Sequence, residues 1–236
     1  MNFLTQGLSP DQISAIMLSL KVSGTATIAS LPLAILVAYA LARWDFPGKI
    51  ALDAVVHLPL VLPPVVTGLV LLLTFGRKAP VGAFLADHFG IVFAFRWTGA
   101  ALAAAVMSFP LTVRALRLSF EAIDVRLERA AGSLGAPPIA VFFAVTLPLA
   151  VSGLIAGAVL GFAKALGEFG ATITFVSNIP GETRTIPAEI YGLTQTPGGD
   201  AAAIEMSIIA ASLAIAALVA SELLARRMRD RLKGAS

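Results

Sequence analysis

Residues 22–42 read V-S-G-T-A-T-I-A-S-L-P-L-A-I-L-V-A-Y-A-L-A, with no Asp, Glu, Lys or Arg among them. A helix needs about 20 apolar residues to cross the hydrocarbon core of a bilayer, and this run is long enough. A barrel strand would instead be about 9–11 residues long and alternate at every second position. The apolar character here is continuous, so the run predicts a membrane-spanning helix. Working outward from it, the same test picks out five spans, at about 13–42, 50–76, 97–120, 138–163 and 201–225. Residues 54–76 and 132–163 are free of formal charge. The expected fold is all-α and integral to the membrane, a single transmembrane domain over residues 1–236. Pro32, Pro59, Pro63, Pro64 and Pro148 fall inside apolar runs. Membrane helices tolerate proline where neighbours satisfy the freed carbonyls. The L-P-L-V-L-P-P run ending at Pro63 and Pro64 predicts a real kink or break, either for packing or as part of a gate.

Composition agrees. Of 236 residues 58% are hydrophobic and 13% charged, against about 25% charged in an ordinary soluble domain. Too little polar surface remains for a water-soluble enzyme, and lipid is the expected solvent for most of the exterior. The net charge is +3, yet the basic residues lie in short groups between apolar runs and not in one patch. That is a topology pattern, and no nucleic-acid partner is expected. There is no cysteine, which removes disulfides, thiolate metal sites and cysteine nucleophiles. No basic stretch precedes the first apolar run, so no cleaved leader is expected.

Charge sets the orientation. With five spans, Arg43, Lys49, Arg114, Arg117, Arg126, Arg129 and the tail Arg226, Arg227, Arg229, Arg231 and Lys233 fall on one side. Arg77, Lys78, Arg96 and Arg184 fall on the other. The richer side is the cytoplasm, which puts the N-terminus outside and the C-terminus in the cytoplasm. Two apolar pieces, 81–95 and 169–180, are too short or too interrupted to span. Both are expected on the external side, where protein or a water-filled cavity shields irregular backbone.

The cytoplasmic loop 121–138 reads E-A-I-D-V-R-L-E-R-A-A-G-S-L-G-A-P-P. Asp124 suits an N-cap and Gly135 the left-handed residue after a helix, while Pro137 and Pro138 stop it. The helix between them puts Leu127, Ala131 and Leu134 on one face and Arg126, Arg129 and Ser133 on another. Such a short amphipathic helix either lies on its own spans or docks into a partner's groove.

The spacing is specific. Ala130, Ala131 and Gly135, then nine residues, then Val145-Thr146-Leu147-Pro148 resemble the E-A-A loop of ABC importer permeases, whose pattern is E-A-A, three residues, Gly, nine residues, Ile, any residue, Leu-Pro. Arg129 stands where that family usually has glutamate, Glu128 lies one position earlier, and Val145 replaces isoleucine. Residues 57–68 (H-L-P-L-V-L-P-P-V-V-T-G), 167–187 (G-E-F-G-A-T-I-T-F-V-S-N-I-P-G-E-T-R-T-I-P) and 196–199 (T-P-G-G) resemble the molybdate-importing permeases within that class. Sulfate and tungstate permeases share a looser form of the second stretch.

The resemblance implies the type I ABC importer permease fold, a homodimer in the bacterial inner membrane, two cytoplasmic ATPase subunits and a periplasmic oxyanion-binding protein. It also implies that the loop is a coupling helix, with Arg126, Glu128, Arg129, Ala130, Ala131, Gly135, Leu147 and Pro148 as the ATPase-coupling residues. Arg126, Glu128 and Arg129 would form polar contacts at the groove's rim. ATP and magnesium would sit on the partner ATPase, and this chain would hold no cofactor or metal. The chain indeed has no G-x-x-x-x-G-K-[ST] phosphate loop and no H-E-x-x-H.

Candidates for gate or pathway are Pro63, Pro64, Lys164, Glu168, Thr172, Thr174, Ser177 and Asn178. Lys164 and Glu168 are spaced to pair, either closing the fourth span at the interface or shaping the external mouth. Hydroxyls and amides at Thr172, Thr174, Ser177 and Asn178 offer neutral hydrogen bonds to an oxyanion, or bond between helices. Segments 76–96 and 169–196 are candidates for the gate and for receptor docking. A secondary transporter would show a repeated half and midplane ionisable groups. No repeat is found, and neither that reading nor a passive channel accounts for the loop.

Overall fold

The structure, a computed structural model, describes residues 8–234. Met1 and Ser236, the termini of the orientation expectation, lie outside the described residues. So do the side chains of Arg226, Arg229, Arg231 and Lys233.

α1 runs Pro10–Arg43 and begins in a capping box: the Ser9 hydroxyl accepts from the Gln12 amide and the Gln12 side chain accepts from the Ser9 amide. The S-P-D-Q sequence is that signal, and it starts the helix a little earlier than the apolar run does. α5 (Trp97–Glu121) and α11 (Asp200–Gly234) are likewise long, single helices. The apolar rod Pro138–Leu166 is built of α7 (Pro138–Val141), a π-helical turn (Phe142–Thr146) and α8 (Leu147–Leu166). Pro148 explains the turn. It has no N–H and its ring crowds the carbonyl four residues back, so the backbone widens just before it.

These four helices are long and apolar enough to cross a membrane. The expected span at 50–76 is not one helix. It is split into α2 (Lys49–Val61) and α3 (Pro64–Phe75), which meet at 113°. Leu62 and Pro63 each precede a proline, which disfavours helical backbone; both are extended, and Pro64 opens α3 at its first turn. The remaining elements are short: α4 (Pro80–Phe89), α6 (Val125–Ser133), α9 (Gly170–Val176) and α10 (Ile186–Thr194). No strand occurs among the described residues.

α5 is the central post. Of its apolar stretch 61% is buried within the chain, against 11% for the α7–α8 rod and for α11. Its alanines 100, 101, 103 and 104 pack with Val22 and Ala26 of α1, Leu71 of α3 and Phe175 and Val176 of α9. Val113, Leu116 and Phe120 meet Ala34, Ala38 and Leu41 of α1 and Ala150 of α8. Small residues let helix axes approach closely in lipid, where packing replaces the hydrophobic effect as the attraction between helices. α8 shows this most sharply. Gly153, Gly157 and Gly161 form a stripe against α5: a Cβ on Gly157 would lie 3.3 Å from Leu116 Cγ, and one on Gly161 would collide with Thr112 Oγ1.

Candidate functional site

The expected functional residues fall at the two ends of the Pro138–Leu166 rod. At about 1.5 Å per residue, its 29 residues separate those ends by roughly 40 Å.

At one end stands α6. Asp124 caps it, its carboxylate accepting from the Arg126 amide at 2.9 Å. Its far end is a Schellman motif. The Ala136 amide donates to Ala131 O at 3.3 Å, the Gly135 amide to Gly132 O at 3.0 Å, and Gly135 has φ +90°. Nothing lies within 4 Å of a Cβ placed on Gly135. The glycine is thus required by backbone conformation and not by crowding. No residue of α6 is fully buried. Arg126, Arg129, Ala130 and Ser133 are exposed, with Leu127 and Leu134 beside them.

Glu128 does not share the exposed rim with Arg126 and Arg129, where it was expected. One residue on a helix turns the side chain by about 100°, and Glu128 points back into the chain. It pairs with Arg43 Nε at 3.2 Å, with both side chains largely buried, and accepts from Thr146 Oγ1 at 2.8 Å. Arg43 also donates to Ile123 O at 3.0 Å. One carboxylate therefore joins α6 to the last turn of α1 and to the π-helical turn. Leu147 and Pro148 follow that turn directly, partly buried at the start of α8.

At the other end, the α2–α3 break is brought against α9. A Cβ on Gly170 would lie 2.6 Å from Pro64 Cβ, and one on Gly68 would lie 2.8 Å from Thr174 Cβ. Lys164 Nζ pairs with Glu168 Oε2 at 3.1 Å although α8 ends at Leu166. Glu168 is 2% exposed, and its other oxygen accepts from the Ala171 amide at 2.9 Å. A carboxylate there also favours the positive end of α9.

Two of the hydroxyls expected to face an oxyanion are bonded to nearby backbone carbonyls. Thr172 donates to Phe169 O at 2.9 Å and Thr174 to Gly170 O at 2.9 Å, within their own helix. Asn178 Oδ1 accepts from Arg184 Nε at 3.0 Å. Ser177 is exposed and has φ 66°, ψ −162°, a conformation that residues other than glycine rarely adopt. Pro63, Pro64 and residues 164–174 therefore form one cluster, with Ser177 and Asn178 in the loop beyond it.

A polar network between α2 and α5 was not anticipated. Arg117 donates to Glu121 at 2.7 Å and to Asp53 at 3.3 Å, and His57 Nδ1 lies 2.8 Å from Asp53 O. With Arg114 and Leu118 these residues line a cavity of about 330 Å³. The two i, i+4 spacings, Asp53 with His57 and Arg117 with Glu121, were the available signal.

The profile of the binding-protein-dependent transport system inner membrane components matches residues 30–230. The chain belongs to this family. It is 58% identical over 224 residues, 95% of its own length and 98% of the relative's, to the molybdenum transport system permease protein ModB of Escherichia coli strain K12. The corresponding protein of Haemophilus influenzae is 53% identical, with 94% and 96% covered. Solved transporters share the fold. A bacterial alginate ABC transporter in complex with an alginate pentasaccharide-bound periplasmic protein gives a TM-score of 0.74 at 20% identity, with 96% of this chain and 82% of that chain covered. The MetNI methionine ABC transporter gives 0.66 at 13% identity, with 92% and 94% covered. An inner-membrane component of this family is a transport subunit, and the apolar helices here suit a multi-pass protein of that membrane.

Proposed function

We propose that this chain is the permease subunit of an ATP-driven importer for molybdate, with tungstate as a close competitor. The observation that carries the reading is the 58% identity to the Escherichia coli molybdenum permease over 95% of the chain. The bent pair α2–α3 counts as one span, which makes five, with the N-terminus outside and the C-terminus in the cytoplasm. Two copies pair about a two-fold axis, the commonest closed arrangement. An external binding protein delivers the oxyanion and two cytoplasmic ATPase subunits, holding ATP and magnesium, drive the cycle.

α6 is the coupling element in this reading. A chain without a phosphate loop must receive its energy through contact, and a rigid element has to move with the partner. α6 is capped at both ends, exposed on its outer side, and tied through Glu128 to α1 and to the π-helical turn that leads into α8. A push on α6 thus reaches both rods. The cluster around Pro64, Gly170 and the Lys164–Glu168 pair is the gate, and segments 76–96 and 177–199 receive the binding protein. Thr172 and Thr174 hold the gate helix together in place of binding substrate.

The test is uptake of labelled oxyanions into vesicles containing the permease, its ATPase and its binding protein. ATP-dependent molybdate uptake that excess tungstate suppresses is the expected result. Sulfate uptake unaffected by excess molybdate would refute it.

A further inference from the structure

The cavity of about 330 Å³ between α2 and α5 belongs neither to the coupling helix nor to the gate. Five of the six side chains lining it are ionisable: Asp53 and His57 on α2, and Arg114, Arg117 and Glu121 on α5, with Leu118 the exception. Ion pairing uses them unevenly. Arg117 gives Nε to Glu121 at 2.7 Å and Nη1 to Asp53 at 3.3 Å, so both carboxylates are turned to one guanidinium. Its Nη2 has no partner among the described residues. Arg114 is exposed, and among the described residues its guanidinium has no ion-pair or hydrogen-bond partner. His57 is held by Nδ1, 2.8 Å from Asp53 O; a carbonyl only accepts, so in the neutral ring that nitrogen carries the proton and Nε2 is left as an acceptor. Arg114 also lies deep. It stands seven residues before Glu121, the last residue of α5, which is roughly 10 Å along the helix. An unpaired cation at such a depth in a spanning helix is costly unless it faces water or an anion.

We propose that this cavity binds a free tetrahedral oxyanion at the inner end of the transport route, with Arg114 as its anchor. The inference rests on the transport reading above and adds a site to it. A guanidinium presents paired N–H groups that match two oxygens of such an ion. Arg117 Nη2 is a second donor, and His57 Nε2 accepts from a water in the ion's shell. A water takes up about 30 Å³, so the cavity has room for a small oxyanion that is still partly hydrated. A phospholipid is the poorer match, because its chains need apolar walls and Leu118 is the one apolar side chain here. Walls of that kind lie instead around Trp44, with Leu36, Tyr39, Ile139 and Phe142. Asp53 and Glu121 set the strength of binding. Two arginines against two carboxylates leave no net formal charge, so directed hydrogen bonds hold the ion in place of a strong positive field. A conduit needs such weak holding, since an ion that enters must also leave.

The test uses the full-length permease in phosphatidylcholine nanodiscs and the absence of native cysteine. Leu118→Cys places one thiol in the cavity, and its reaction with a small neutral maleimide is timed as molybdate is added. Molybdate should slow the reaction in a saturable way, and sulfate should do the same, since the site reads shape and charge. A cysteine at Ser133, on exposed α6, should react at an unchanged rate. In the Leu118→Cys parent, Arg114→Gln should raise the molybdate concentration for half-protection by about tenfold or more. Arg114→Lys keeps the charge and should retain much of the protection. Glu121→Gln releases Arg117 Nε and should lower the concentration needed, a gain that misfolding cannot produce.

No protection of position 118 by either oxyanion would overturn the proposal. So would equal midpoints in Arg114→Gln and its parent, or a raised midpoint in Glu121→Gln. Protection that appears without free oxyanion once phosphatidylglycerol replaces phosphatidylcholine would also overturn it, and would assign the cavity to a lipid headgroup. Protection by sulfate and not by molybdate would leave the oxyanion site standing and defeat the molybdate reading instead, a separate result.

Discussion

Gly135 is the residue on which α6 depends for its end. Its φ of +90° closes the Schellman motif, and there is open space around its Cα. Substitution therefore acts through backbone conformation alone. Left-handed backbone costs an ordinary residue about 1–2 kcal/mol and a β-branched one more, while asparagine tolerates it best. Gly135→Asn should keep most transport activity. Gly135→Val should leave the permease inserted yet fray the last turn of α6, seen as faster amide exchange at positions 131–135 and less uptake per ATP. Equal exchange and uptake in both variants would contradict this account. The spacing to Gly135 was legible in the sequence because a helix stop is a local event. The direction of Glu128 was not, because its partners Arg43 and Thr146 are remote in sequence and only packing brings them within reach.

At the scale of elements, the α5–α8 contact rests on the Gly153, Gly157 and Gly161 stripe. The three positions are not equally tight. A Cβ at Gly157 meets Leu116 at 3.3 Å and Ala115 at 3.5 Å, distances that a small shift relieves. At Gly161 it meets the Thr112 hydroxyl, which is already held by Ser108 O at 3.3 Å. Overpacking in a close contact costs about 1–3 kcal/mol. Gly157→Ala should thus lower the midpoint of thermal unfolding in detergent only slightly, and Gly161→Val should lower it clearly. Gly161→Val combined with Thr112→Ala should recover part of the loss. Failure to recover any would show that the contact is not the cause. The apolar runs that mark these helices are visible in sequence, but the break within 50–76 shows their limit. Hydropathy measures solvent preference and is blind to direction, whereas Pro63 and Pro64 turn the chain by 113° inside one apolar run.

For the whole molecule, the uneven burial of the spans is the guide. α5 is enclosed by its own chain, while few residues of α11 and of the rod through α8 are fully buried. Lipid suits such a surface, and in the proposed homodimer a second copy of the chain covers part of it. With no native cysteine, single-cysteine labelling reports both sidedness and pairing. Cysteines at Ser9 and Pro197 should react with an impermeant reagent from outside whole cells, and one at Ser133 only after the membrane is opened. Labelling of Ser9 from the cytoplasmic side alone would overturn the five-span reading.

The sequence by itself determined the solvent, the helices and the class of protein. Charge-free runs of spanning length have no alternative in water, and the spacing Ala131–Gly135–Pro148 is a property of one continuous stretch. Only the tertiary structure decided what faces what. It set the 113° turn against α9 and sent Glu128 inward. It also joined Asp53 to Arg117. The physical reason is that buried charges and hydroxyls take whichever partner packing delivers, and in this chain several of those partners lie a whole helix or more away in sequence.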